Sequence, residues 1–153
     1  MNTSNMKFAV LTILLSIVLI SCSSDEPRTK SDTSSSDGFK FGETIVVKVQ
    51  NQARIGSSSG ADIDVQVTAI TDSRCPVDAI CVWEGRAEVT FKIEGIEPVI
   101  LCLGNAASCT ANPYEFSVAD KKYSLTLKEV TPVPSSINQG EEKKASFVVE
   151  EVK

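Results

Sequence analysis

The chain has 153 residues, a formal charge of −5 and no histidine. Without histidine, serine–histidine and cysteine–histidine catalysis are excluded, and the commonest metal ligand is missing. An acidic balance with no basic stripe argues against nucleic acid as a partner.

In chain order the first element is a leader. Lys7 precedes the apolar run Phe8–Ile20, FAVLTILLSIVLI, which ends at Ser21 and Cys22. A basic start, a short apolar core and a small residue before the cut describe a secretory signal. The run is shorter than the roughly 20 residues of a transmembrane helix. The stretch LISC, Leu19–Cys22, resembles the bacterial lipobox. That resemblance implies that residues 1–21 are removed and that Cys22 carries a lipid, through which the protein touches the membrane. The next run, SSDEPRTKSDTSSSDG, has almost no apolar residue to offset its chain entropy, so 22–38 reads as a disordered tether. Asp25-Glu26 resembles the export signal of lipoproteins displayed on the outer face of the outer membrane. Surface display in the outer membrane is the expectation, with a periplasm-facing anchor as the alternative.

Residues 39–153 read as one β domain. Period-two patterning predicts strands at Glu43–Gln50, Ile63–Thr71, Cys81–Glu94 with a break near Gly85, Pro98–Leu103, Tyr114–Val118, Tyr123–Thr131 and Ala145–Val152. Within YSLTLKEV, Tyr123, Leu125, Leu127 and Glu129 fall on one face. Turn-forming clusters such as GSSSGAD, GNAAS and PVPSSINQGEE separate the strands. The fold class is all-β: a single antiparallel sandwich or small barrel of about seven strands.

Apart from Cys22, the cysteines are Cys75, Cys81, Cys102 and Cys109. In an oxidising compartment an even set of thiols is expected to pair. Structural zinc usually wants two or three residues between paired ligands, and a redox dithiol wants two; neither spacing occurs. No metal and no cofactor is expected. Four cysteines allow three pairings. Cys75–Cys81 and Cys102–Cys109 are preferred because each pair brackets a turn-like segment, PVDAI and LGNAAS. Cys81 and Trp83 would then share a strand face, with the indole roofing the core beside a disulfide. Gly85 suits a bulge.

The stretch DSRCP…CVWEG, in a match that runs from Asp72 to Ala87, resembles a motif of small bacterial lipoproteins written D-S-R-C-P, a few residues, C-V-W-A-G. The resemblance implies a small β domain rather than any activity. Glu84 departs from the usual alanine. Cys102 and Cys109 are extra to the motif, which supports pairing Cys75 with Cys81. Asp72 and Arg74 fit a structural ion bracket under the loop, with an exposed recognition pair as the alternative.

The functional expectation is a non-catalytic, lipid-anchored binding module with a protein partner, a secreted peptidase being one candidate class. Connecting loops on a rigid scaffold carry recognition more often than sheet faces do. The candidate binding residues are Pro76, Val77, Asp78, Ala79 and Ile80 in one loop, and Pro132, Val133, Pro134 and Ile137 in another. The alternatives are an accessory lipoprotein of an envelope assembly and, behind it, a small-ligand binder or a carboxylate-based hydrolase.

Overall fold

The computed structural model describes residues 38–56, 62–104 and 109–153. The leader, Cys22 and nearly all of the tether lie outside the described residues. Eight strands are present: β1 Thr44–Lys48, β2 Gln52–Ile55, β3 Ile63–Asp72, β4 Arg86–Ile93, β5 Val99–Gly104, β6 Tyr114–Val118, β7 Lys121–Thr131 and β8 Lys144–Val152. They form two four-stranded antiparallel sheets, ordered β1-β8-β7-β6 and β2-β3-β4-β5. Among the described residues no strand pairing joins the two sheets, so the fold is a sandwich and not a closed barrel.

Alternation builds each layer. Ile63, Val65 and Val67 of β3 and Ala87, Val89, Phe91 and Ile93 of β4 point inward. The other sheet answers with Leu125, Leu127, Phe147 and Val149. Phe91 and Phe147, one from each sheet, meet edge to face with ring centroids 5.2 Å apart. A stack of Phe41 on Tyr123 and Tyr123 on Phe116 extends the core, and aromatic contacts of this kind add to simple area burial.

Three expectations need correction. The strand β2 was not legible, because QARI is short and carries Arg54. It forms because Gln50 adopts a left-handed backbone (φ 66°) and turns the chain onto the second sheet, where Ala53 and Ile55 become buried. The strand expected from Cys81 starts only at Arg86. Gly85 (φ 66°) lies against Ser73, so close that a Cβ there would meet the Ser73 carbonyl oxygen at 1.9 Å. Residues Cys75–Gly85 are consequently loop, Cys81 and Trp83 share no strand face, and Trp83 is 66% exposed rather than core. Finally, a register shift between Leu127 and Glu129 turns Glu129 to solvent and Val130 inward.

A matching shift between Val67 and Ala69 changes the phase of β3. Beyond it the even-numbered residues face inward, which carries Asp72 between the sheets; its side chain is 3% exposed. A bulge reverses which side chains face the core.

The registers define two poles. At the upper pole β3 runs into the loop 73–85 and β7 into the loop 132–143, and Lys48 pairs with Lys144. The chain enters the domain at the lower pole. There Phe39 bridges Ile55, its N–H donating to the Arg54 carbonyl at 2.9 Å, and the Gly42 N–H donates to the Val149 carbonyl at 2.8 Å. At about 3.3 Å per residue, the 11 residues of β7 place the poles roughly 30 Å apart.

Candidate functional site

The upper pole is built on Asp72. Its carboxylate accepts two parallel bonds from the Arg74 guanidinium, Nε to Oδ1 at 2.8 Å and Nη2 to Oδ2 at 2.7 Å. The Arg74 N–H donates to Oδ1 at 3.2 Å, and Lys143 Nζ lies 3.3 Å from Oδ2. Burial pushes the Asp72 carboxyl upward. The Arg74 side chain and N–H, the guanidinium charge and Lys143 outweigh it and hold the pKa below the ordinary carboxylate value. Arg74 also donates to the Val130 carbonyl at 2.8 Å, and Lys143 to the Pro132 carbonyl at 2.6 Å. One buried carboxylate thus gathers the bases of both loops. The bracket reading of Asp72 and Arg74 describes this geometry.

Higher up, Cys75 and Cys81 are joined by a disulfide with Cα atoms 5.9 Å apart. Inside the ring the Ala79 N–H donates to the Pro76 carbonyl at 3.1 Å, closing a turn. This loop is tied to the second one near its tip. The Val77 N–H donates to the Pro134 carbonyl at 2.9 Å. The Asp78 carboxylate accepts from the Ser136 N–H at 2.9 Å and from the Ser136 hydroxyl. The hydroxyl first, then the N–H, lowers the Asp78 pKa. Asn138 pins the second loop from within, accepting from the Ser135 N–H at 2.9 Å and donating to the Val133 carbonyl at 2.7 Å.

The residues singled out in the sequence divide into two groups. Pro76, Pro132 and Pro134 are half-buried and shape the loops, whereas Val77, Asp78, Ala79, Ile80, Val133 and Ile137 reach solvent. Ile80 is fully exposed and Ile137 is 92% exposed. Sequence reading missed Ser136, Asn138 and Lys143, which join the loops, and Val82 and Trp83, which extend the exposed surface. The Ser-Ser-Ile-Asn run carried a signal, since Ser and Asn favour turns that their side chains close. Its partner across the loops carried none.

The second disulfide, Cys102–Cys109, has Cα atoms 6.0 Å apart and clips the chain along the edge of β5. There the Thr110 N–H donates to the Ile100 carbonyl at 3.0 Å. Residues 105–108 of this loop lie outside the described residues. Glu88 sits within 4.8 Å of both sulfurs, but bridged sulfurs supply no thiolate to a metal.

The fold and this pole define an all-β sandwich with two interlocked loops at one end, one of them closed by a disulfide. No family model, curated protein or solved structure matches the chain.

Proposed function

We propose that the protein is a non-catalytic binding module whose upper pole engages a protein partner, with a secreted peptidase as the leading class. The observation that carries this is the pairing of exposed aliphatic tips with loops that are already fixed. Val77, Ile80 and Ile137 stand in solvent on segments tied by a disulfide, by Asp78–Ser136 and by Asp72–Arg74–Lys143. Segments ordered before binding lose less entropy on association. Exposed aliphatic side chains on loops held in place are suited to contact with another protein.

The Asp72 and Asp78 carboxylates of this pole are engaged in holding the loops, each with its pKa lowered by its partners. The chain enters the domain at the opposite pole, so a tether would leave from the end away from the tips. Labelling by a clickable palmitate analogue, abolished in Cys22→Ala, tests the anchor.

The partner is tested with a panel of secreted serine, cysteine and metallopeptidases. Inhibition of one of them at micromolar concentration, lost in Ile80→Asp/Ile137→Asp at unchanged melting temperature, is the expected result. If no peptidase is inhibited, the inhibitor reading falls. A partner captured from native envelopes through the same two residues would leave the binding-module reading in place.

A further inference from the structure

Trp83 does not belong with the aliphatic tips. It borders a groove of about 440 Å³ whose other walls are Thr71, Ser73, Glu84, Gly85, Arg86 and Glu88. Val77, Ile80, Val82 and Ile137 form no part of it. The indole is therefore framed by hydrogen-bonding groups and backbone. The groove is open to solvent, so a ligand would lie across it with one face covered.

The floor of the groove is rigid. Thr71 and Glu88 are cross-strand partners on β3 and β4, and Arg86 lies two residues from Glu88 on the same outward face. Arg86 Nε donates to Glu88 Oε1 at 2.5 Å, which fixes both side chains. The terminal guanidinium nitrogens of Arg86 and the second oxygen of Glu88 have no partner among the described residues. The Ser73 hydroxyl, by contrast, is engaged with the Arg86 backbone.

Arg86 offers donors and Glu88 an acceptor side by side near an exposed indole, which suits a neutral ligand with one flat apolar face and a rim of hydroxyls that both accept and donate. A pyranose with equatorial hydroxyls has this form. Its axial C–H bonds present a weakly positive face to the negative face of the indole, while adjacent hydroxyls can accept from a guanidinium and donate to a carboxylate.

We propose that the Trp83 groove is a saccharide subsite for a β-linked chain of glucose or N-acetylglucosamine units. Trp83 is the stacking platform, and the Arg86–Glu88 pair holds the ring hydroxyls. This site is separate from the aliphatic tips and does not depend on their partner being a protein.

Trp83 is the only tryptophan in the chain, so its emission reports on the groove directly. The full chain, in a detergent without a sugar headgroup, is titrated with cellohexaose and with chitohexaose. Saturable binding of at least one is expected by fluorescence and by calorimetry, and the preferred hexamer separates the two sugar types. By calorimetry, Trp83→Ala and Glu88→Gln should each weaken that binding by about tenfold or more. Ile80→Asp should leave it unchanged. Because Trp83 is exposed, the Trp83→Ala chain should keep the wild-type melting temperature, so loss of binding is not loss of fold. Failure of both hexamers to bind at millimolar concentration overturns the proposal, as does binding that survives Trp83→Ala. Weakened capture of a protein partner by Trp83→Ala, with no saccharide bound, assigns the indole to the protein interface instead.

Discussion

Removing the Arg74 guanidinium should unlock the upper pole. Arg74→Ala deletes two charge-assisted bonds to Asp72 and one to the Val130 carbonyl, and leaves a carboxylate whose side chain is 3% exposed. Breaking a buried ion pair from one side costs about 3–5 kcal/mol, because the remaining charge is stranded. Lys143 still reaches Asp72, so the lower end, about 3 kcal/mol, is expected. For a domain of this size that lowers the melting temperature by roughly 10–15 °C. Urea unfolding of wild type, Arg74→Ala and Arg74→Lys measures it, with the lysine variant intermediate because it keeps charge but loses the two-pronged geometry. The depressed Asp72 pKa fixes the sign of the pH dependence. The bracket contributes fully above the unfolded carboxylate value, about 3.9, and is lost as pH falls through the lower folded value. Stability lost on acidification should shrink in Arg74→Ala. A cost below about 1 kcal/mol would refute the reasoning, since it would mean that Asp72 is solvated or rescued elsewhere.

Three further outcomes are expected. Ser136→Ala should speed hydrogen exchange at the Val77 and Ser136 amides while barely moving the melting temperature, because the Asp78 tie is exposed; the tie should also open as pH falls below the usual carboxylate range. Gly85→Ala should destabilise by about 1–3 kcal/mol or more in chemical unfolding, since the new Cβ meets the Ser73 carbonyl oxygen in a left-handed backbone. The Cys75→Ser/Cys81→Ser chain should lose about 2 kcal/mol and bind the partner more weakly, and peptide mapping of wild type should link Cys75 to Cys81.

Much of the sandwich was legible because period two is a local property. Ile63, Val65 and Val67, or Tyr123, Leu125 and Leu127, show it without any knowledge of their partners. What escaped depends on contacts across the fold. The bulge after Leu127 inverts the face of Glu129 with no signature in YSLTLKEV, and the bulge after Val67 delivers Asp72 to the interior. Trp83 was misplaced because the apparent strand Cys81–Glu94 is interrupted by the approach of Ser73 to Gly85, a contact between residues twelve positions apart. The two loops were each readable as stiff projections. Their fusion through Asp78 and Ser136, 58 positions apart, was not.

The central claim is that the exposed tips are where the protein meets its partner. Placing a photo-crosslinking residue at Ile80, at Ile137 and, as a control, at the exposed Val46 on β1 tests it in native envelopes. Ile80 and Ile137 should each yield one crosslinked species of the same mass, and Val46 should yield none. Crosslinking from Val46 with silence at Ile80 and Ile137 would contradict the account and move the interface to the sheet edge.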